Sequence, residues 1–376
     1  MRKSLVVIFL LSMLGAQAQE LNFWQKANNL LTKFKNIDSA YVYQPKQGFT
    51  LGLFSSIQRA GIDATAMFAV NPNNGETLSG VSKYSMREGI SPKVGLELGY
   101  GKFVLGYGVE VGPKRAYKKR AFGLNLLGKS WGLHFNYFNI HNRFKTSIFI
   151  GEEGQDDYYA EEILSQDPAK LECLYVDGYY VFNHKRFAYP AAYKAGLVQR
   201  RTAGSWMVTA RYMQGDLNNS PEAFLESYGL MDDLFTIQAS VGGGYSANFV
   251  CWHKDPTYPH DKGLRNITIN LTALPVITAV NYLKIKSYEY DEDELENEIV
   301  SETYCYPMPN FVGSTAIAMT LDRFFISTQF VYNWFYFRSS DTIKFNDQQI
   351  LSRVDDLNFR GSFHNWTFKL LFTYKF

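Results

Sequence analysis

The stretch Trp366-Thr367-Phe368-Lys369-Leu370-Leu371-Phe372-Thr373-Tyr374-Lys375-Phe376 carries the clearest structural signal in this chain. Every even-numbered position is apolar or aromatic, and the odd-numbered positions hold Thr, Lys, Leu, Thr and Lys. A period of two over this length indicates a strand with one apolar and one polar face. A tilted strand needs about 9–11 residues to cross a bilayer. We therefore expect a membrane-spanning strand, with an amphipathic edge strand of a soluble sheet as the alternative.

The same stretch resembles the assembly signal of bacterial outer-membrane β-barrels, in which aromatic residues alternate before a terminal Phe. This resemblance implies the barrel-assembly machinery as a partner. The candidate signal residues are Trp366, Phe368, Phe372, Tyr374 and Phe376.

The other end of the chain indicates export. Arg2 and Lys3 precede an apolar run from Leu5 to Leu14, and Ala16-Gln17-Ala18 follows as a cleavage site. This order is that of a secretory signal peptide, predicted over residues 1–18. The run is too short for a membrane-spanning helix, which needs about 20 residues. The exported chain must therefore span a membrane as a closed barrel if it spans one at all.

Composition favours a barrel. Aromatic residues make up 16% of the chain, yet its mean hydropathy is only −0.22. Lipid-facing aromatic positions and polar lumenal positions together explain this combination. The 38 basic and 36 acidic residues nearly cancel, so the charge predicts no nucleic-acid partner.

Periodicity divides the exported chain in two. Residues 19–47 predict a periplasmic segment with an amphipathic helix, and residues 48–376 alternate with the period of strands. We count thirteen candidate strands, but a bacterial barrel normally has an even number. The stretch 48–70 is either one bent strand or two, 274–286 either extends its neighbour or stands alone, and 144–150 is a weak candidate. The prediction is an all-β, single-chain transmembrane antiparallel barrel of about twelve strands, with fourteen as the alternative.

Long polar connections on one side and short turns on the other are typical of outer-membrane barrels. The long connections are predicted at 71–92, 112–128, 151–170, 214–233, 283–311 and 337–361, and the short turns at 101–102, 139–142 and 322–323. An acidic run in 283–311 and a basic run at 114–120 are candidate contacts for outer-membrane lipid and lipopolysaccharide. An ordinary solvated loop is the favoured explanation of the acidic run and at least as good an explanation of the basic run. The predicted location is the outer membrane of a Gram-negative bacterium.

Several charged residues are predicted to face the lumen or to form a plug. Glu97 and Glu110 share one face of a hairpin and cannot easily point into lipid. Residues 176–206 contain Pro190, which interrupts a strand, and many polar side chains. This segment predicts an inward-folded insertion or an elaborate turn. The candidate lumen or plug residues are Glu97, Glu110, Lys185, Arg186, Arg200, Arg201 and Arg211.

The wording of this segment resembles a known family. The resemblance lies in Tyr180-Val181-Phe182-Asn183, in Arg186-Phe187-Ala188-Tyr189-Pro190-Ala191-Ala192-Tyr193, and in Gln199-Arg200-Arg201-Thr202-Ala203-Gly204-Ser205-Trp206. These stretches are similar to domain-of-unknown-function family 4421, and the likeness covers roughly residues 38–376. The resemblance implies an exported outer-membrane barrel and assigns no functional residue.

Motifs for catalysis and metal binding are missing from the sequence. It contains no G-x-S-x-G, H-E-x-x-H or C-x-x-C pattern, and its three cysteines lie far apart. His364 near Ser362, His141 near Ser147, and His253 with His260 are weak alternatives. We predict no cofactor, no metal and no enzyme. The leading function is a narrow channel or transporter for a small polar or lipidic solute; the alternatives are a structural or surface-interaction barrel and a lipid-modifying enzyme.

Overall fold

The computed structural model describes residues 37–45, 48–70, 78–87, 91–111, 120–142, 145–150, 159–164, 169–218, 233–256, 263–291, 294–339 and 354–376. The predicted signal peptide and the predicted amphipathic helix lie outside these residues. Among the described residues, no helix is long and apolar enough to cross a membrane. A short 3₁₀ turn, Tyr189–Ala192, interrupts a chain that is otherwise built from strands.

Twelve antiparallel strands close into a barrel, as the alternating pattern predicts. Each strand pairs with its neighbour along the chain, and the last pairs with the first from Lys375 opposite Thr50 upward. In chain order the strands are β1 (Phe49–Val70), β2 (Ser91–Tyr100), β3 (Phe103–Glu110), β4 (Arg120–Leu127), β5 (Trp131–Asn142), β6 (Ala169–Val181), β7 (Ala203–Asn218), β8 (Asp233–Lys254), β9 (Arg265–Asp291), β10 (Met308–Leu321), β11 (Phe324–Arg338) and β12 (Val354–Lys375).

The alternation in sequence becomes two faces of the wall. Leu51 and Leu53 are exposed on the outside, whereas Gly52, Ser56 and Gln58 of the same strand are buried inside. The outer face of a spanning strand meets lipid instead of water. The exposed apolar side chains on this face therefore form the lipid-facing belt. The belt includes Leu51, Leu53, Leu96, Leu98, Leu105, Tyr107, Trp206, Val208, Ile317, Phe330 and Phe372.

The two ends of the barrel differ. The end that holds Phe49 and Phe376, with tight turns at 101–102 and 322–323, is called the inner end. At the opposite, outer end, strands continue beyond the closed wall. Leu78–Arg87 pairs with the upper part of β1, Lys145–Ile150 pairs with Leu78–Arg87, Tyr159–Leu164 pairs with Lys145–Ile150, and Glu294–Tyr304 pairs with the upper part of β9.

These extensions correct several predicted loops. Strands occupy parts of 71–92, 151–170, 283–311 and 337–361. Apolar alternation does not reveal these strands, because a β-ribbon that lies in water on both faces has a polar sequence. The predicted loop 112–128 contains β4, and the predicted turn 139–142 is the end of β5.

The strand number is right although its members differ from those predicted. The stretch 48–70 is a single strand, 274–286 extends β9, and Lys145–Ile150 belongs to the outer extension instead of the wall. Merging 48–70 into one strand and removing Lys145–Ile150 leave eleven of the thirteen predicted strands. The strand β4, which was not predicted, is the twelfth.

Candidate functional site

Residues 182–202, called the plug, connect β6 to β7 and fold into the inner end of the lumen. The 3₁₀ turn Tyr189–Ala192 lies at its centre, and all four of its residues are buried. Proline suits the first turn of a helix, because its φ is preset and it has no N–H to satisfy. Small Ala191 and Ala192 allow the backbone to approach the wall closely.

Gln199 holds the plug together. It is fully buried, and its side-chain oxygen accepts a hydrogen bond from the Ala188 N–H at 2.9 Å. Its side-chain nitrogen donates to the carbonyl oxygens of Tyr41, Arg186 and Arg201, at 3.2, 2.7 and 2.9 Å. One amide side chain therefore binds four backbone groups, with its two N–H hydrogens shared among three carbonyl oxygens; of these, the Tyr41 carbonyl also accepts from the Arg200 N–H at 2.7 Å.

Polar side chains of the wall fasten the plug. The Asn248 and Asn266 side chains donate to the carbonyl oxygens of Ala188 and Gln199, each at 2.8 Å. From β11, Ser327 donates to the Ala192 carbonyl at 2.7 Å and Gln329 to the Tyr193 carbonyl at 2.9 Å. These contacts come from β8, β9 and β11, so the plug reaches across the lumen.

The plug also joins a chain of hydrogen-bonded polar side chains that includes Asn270 on β9. The Tyr193 hydroxyl donates to the Asn270 side-chain oxygen at 2.8 Å and lies 2.8 Å from the Ser314 hydroxyl. Asn270 in turn donates to Asn248 at 2.8 Å. The buried polar groups are therefore connected in one network, which specifies the position of the plug.

The chain before the barrel clamps the plug at the inner rim. Val42–Tyr43 pairs with Val198–Gln199 as a two-stranded sheet. Arg186 forms an ion pair with Asp38 and lies over the Tyr41 ring. Arg200 donates to the Ser39 carbonyl and to Asp255, both at 2.6 Å. The Arg201 guanidinium also lies over the Tyr41 ring, and the Lys185 side chain is exposed.

Outward from the plug lies a chamber of about 320 Å³. Both strongly polar and aromatic side chains line it, and the plug forms part of its boundary through Tyr189, Tyr193 and Lys194. The charged residues in the lining are Lys93, Glu97, Asp177, Lys194, Arg211 and Lys369.

Two ion pairs inside the chamber each join side chains from two different strands of the wall. Lys369 of β12 binds Glu97 of β2. Arg211 of β7 donates through Nε to Asp177 of β6 and through Nη2 to the Asn333 side-chain oxygen at 2.9 Å. Asn333 lies on β11, with β8, β9 and β10 between it and Arg211 in the sheet, so Arg211 bridges the lumen.

Lysines in the inner part of the lumen donate to uncharged oxygen atoms. Lys93 donates to the Gln58 side-chain oxygen at 2.8 Å, and Lys194 to the Gly101 carbonyl at 2.9 Å. Burial, together with the charge of Lys102, lowers the pKa of Lys194 to about 7. Burial and nearby Lys129 lower the pKa of Lys102 in the 101–102 turn to about 8.

A group of aromatic side chains, called the aromatic layer, narrows the lumen on the outer side of the chamber. Phe138, Tyr175, Phe335 and Phe363 are all buried and face the lumen. The rings of Phe138 and Tyr175 stack at 5.6 Å, and Tyr175 lies 5.6 Å from Phe335 and 6.1 Å from Phe363. Apolar Leu171, Leu217, Leu234 and Phe337 are buried as well. The chamber thus lies between the aromatic layer and the plug.

The other predicted residues lie apart from the chamber lining. Glu110 lies opposite Lys93 in the β2–β3 register. The aromatic residues of β12 lie on the outer surface, where Phe372 and Tyr374 contact Phe324 and Trp366 contacts Phe330. His364 Nδ1 lies 3.8 Å from Asp63, and His253 hydrogen-bonds Asp255 at 2.9 Å.

Sequence reasoning missed four charged members of the chamber: Lys93, Asp177, Lys194 and Lys369. Lys93 and Lys369 do share the inward phase of their strands with Glu97 and Leu371, which is a readable signal. Asp177 lies at the start of 176–206, the segment predicted as an insertion, so the sequence analysis does not place it on a strand face.

Comparison with solved structures gives outer-membrane barrels. The outer-membrane protease OmpT of Escherichia coli matches with a TM-score of 0.41 and 6% identity, covering 88% of this chain and 97% of that one. The translocator domain of the autotransporter NalP of Neisseria meningitidis matches with a TM-score of 0.29 and 12% identity, covering 96% and 98%. A Pseudomonas aeruginosa FadL homologue matches with a TM-score of 0.22 and 9% identity, covering 88% and 90%.

No curated protein matches the chain in sequence. A family model does match, over residues 36–354, which include most of the barrel and the whole plug. The chain has an outer-membrane β-barrel fold and belongs to the domain-of-unknown-function family DUF4421.

Proposed function

We propose that this barrel is a gated transporter that holds a small polar solute in the lumenal chamber and conducts no ions while the plug is seated. The observation that supports this proposal is the chamber itself, a charged space of about 320 Å³ between the plug and the aromatic layer. Pockets for small ligands begin at about 300 Å³ and combine apolar walls with a few converging polar groups.

A barrel with a purely structural role would gain nothing from such a chamber. Replacing buried ion pairs by packed apolar side chains is often neutral or stabilising. The wall nevertheless places the pairs Glu97–Lys369 and Asp177–Arg211 around a cavity at mid-barrel. Keeping costly charged groups at a cavity favours a binding role.

The plug is the part of the lumen that we propose as the gate. It is one chain segment, and side-chain hydrogen bonds from Asn248, Asn266, Ser327 and Gln329 fasten it to the wall. Each such bond contributes only about 0.5–1.5 kcal/mol net, because water can replace the partner. Release of the plug, together with the Val42–Tyr43 strand paired to it, therefore needs no break in the strand ladders of the wall.

Planar-bilayer conductance of the refolded full chain tests the proposal. We expect wild-type protein to be silent across salts and voltages. The double variant Gln199→Ala, Asn248→Ala removes the central anchors of the plug, and we expect it to give discrete channel openings. Asn218→Ala, an exposed amide at the outer end of β7, is the matched control and should stay silent. Heat-dependent gel mobility shows that each variant is folded.

Two results would contradict the proposal. A steady open-channel current from wild-type protein would mean that the plug does not close the lumen. Silence from a folded double variant would mean that releasing the plug opens no path, and the structural role would then be the better explanation.

A surface-interaction barrel is the second candidate function. The observation that favours it is the β-structure beyond the wall at the outer end, formed by Leu78–Arg87, Lys145–Ile150, Tyr159–Leu164 and Glu294–Tyr304. We propose lipopolysaccharide as the partner of this surface, with outer-membrane lipid around the apolar belt. That the protein is not an enzyme stays a prediction.

A further inference from the structure

The guanidinium of Arg211 has an unused donor inside the chamber. Its side chain is only 3% exposed, and Nε and Nη2 are bound to Asp177 and Asn333. The third nitrogen, Nη1, is buried with no hydrogen-bond partner among the described residues. A buried charged donor without an acceptor is costly, and in folded proteins such a group usually has a partner such as water or an ion.

The charge of the chamber favours a negative partner. Its lining contains four cationic side chains, Lys93, Lys194, Arg211 and Lys369, against the carboxylates Glu97 and Asp177. Glu110, which lies opposite Lys93 in the register, raises the number of carboxylates to three. Because the pKa of Lys194 is about 7, the charges balance when Lys194 is neutral and leave one excess positive charge when it is protonated. A bound anion favours the protonated form, and in a space of low dielectric constant the excess charge then attracts the anion.

These charges line one cavity. Asp177, Arg211, Lys194 and Lys369 come from two neighbouring strands, the plug and β12, and all four line the same chamber as His134 of β5. A second unused group lies nearby: the Asn365 side-chain oxygen is buried without a partner, and Asn365 is directly opposite Asn333. Asn333 itself binds Arg211.

We propose that the chamber binds a small oxyanion, a carboxylate or a phosphate, which accepts a hydrogen bond from Nη1 of Arg211. Asn365 is placed to accept a hydrogen bond from a hydroxyl or amine carried by the same molecule. This inference rests on the proposed function, because it names the class of solute that the chamber holds. The volume of about 320 Å³ limits the solute to a small molecule.

Isothermal titration of the refolded full chain in detergent micelles tests the site. Equilibrium dialysis of wild-type protein against a series of anion concentrations accompanies the titration, so that slow entry past the plug does not hide binding. The probes are sodium phosphate and sodium acetate, and choline chloride serves as the cation control. We expect saturable binding of phosphate or acetate and no binding of choline. The anion that binds more tightly shows whether the site prefers a phosphate or a carboxylate.

Variants of Arg211 separate the site from general charge. Arg211→Gln should weaken anion binding by about tenfold or more, because a hydrogen bond to a charged group is lost. Arg211→Lys keeps the charge beside Asp177 and removes the forked guanidinium, so it should fold and still bind more weakly. Arg323→Gln, exposed in the 322–323 turn, is the matched control and should bind as wild type does.

Absence of saturable binding of both anions to wild-type protein would overturn the site, as would unchanged affinity in folded Arg211→Lys. The two proposals fail separately. Anion binding with a silent plug-released variant would leave the site and remove the transport role. Channel openings without anion binding would do the reverse.

Discussion

At the inner end of the barrel a folded chain segment closes the lumen, whereas at the outer end the side chains of the wall narrow it. The plug contacts the wall through polar groups such as Gln199, Asn248 and Ser327. Its Phe187 and Tyr189 also pack in an apolar cluster with wall residues. The aromatic layer consists of rings such as Tyr175 and Phe335, packed against one another. The inner end therefore combines directional hydrogen bonds with apolar burial, whereas the aromatic layer depends mainly on non-directional apolar burial.

This difference gives the plug and the aromatic layer different roles. Hydrogen bonds specify one position of the plug and can be exchanged for water at small net cost, so the main free-energy cost of releasing the plug is exposure of Phe187 and Tyr189. The aromatic layer belongs to strands that are fixed by their ladders, and its removal would leave cavities in the barrel. The plug is thus the independent part, and the layer contributes to the stability of the whole.

The largest effect is expected in the aromatic layer. Phe335 is 1% exposed and contacts Tyr175 and Phe363. Phe335→Ala should lower the free energy of unfolding by about 3–5 kcal/mol, because it removes buried apolar surface and leaves a cavity. Urea unfolding followed by gel mobility measures this loss.

Phe335→Leu is the matched control and should lose much less, because it keeps most of the volume. Hydrogen exchange of the plug amides should change no more than that of the wall. Selective loosening of the plug in Phe335→Ala would contradict the separation of the two ends.

An intermediate and local effect is expected at the centre of the plug. Gln199→Ala removes the side-chain partner of the Ala188 N–H and of the carbonyl oxygens of Arg186 and Arg201. Each unsatisfied group costs about 1–3 kcal/mol, so the free energy of opening the plug should fall by about 3 kcal/mol. Hydrogen exchange of residues 186–200 should then accelerate by about 100-fold or more.

Lys185→Ala, exposed on the same segment, should leave exchange unchanged. The urea midpoint of the wall should move little in Gln199→Ala. A cooperative loss of the entire barrel would show that plug and wall form one unit, and the comparison of the two ends would fail.

Much of this architecture could be predicted from the sequence, because alternation records which side chains face lipid. The pattern of β12 and of the β2–β3 hairpin was sufficient for the barrel and for the inward face of Glu97. Alternation does not record where a strand leaves the bilayer. Alternation therefore predicts Lys145–Ile150 in the wall, where it does not lie, and does not distinguish the short β4, which follows a basic run, from a loop.

The site was less predictable, because its contacts depend on the register around the whole cylinder. The polar content of the plug and Pro190 were visible signals of an insertion. Its anchors Asn248, Asn266 and Ser327 looked like ordinary lumenal residues of separate strands. Arg211 and Asn333 are 122 positions apart, and no local pattern indicates that they meet.

The smallest effect is expected from pH, and it concerns the floor of the chamber. The folded-state pKa of Lys194 is about 7, below that of an unfolded lysine, because burial and Lys102 disfavour its charge. Between about pH 7 and 10 the unfolded chain therefore binds more protons, and the free energy of unfolding rises with pH. Lys194 should contribute up to about 2 kcal/mol of this rise between pH 7 and pH 9. Lys102 and Lys129 have lowered pKa values as well, so Lys194→Met should flatten the pH dependence of the urea midpoint without abolishing it. Equal slopes in wild type and Lys194→Met would mean that this lysine is solvated in the folded barrel, and the polar end of the lumen would then be wetter than its hydrogen bonds indicate.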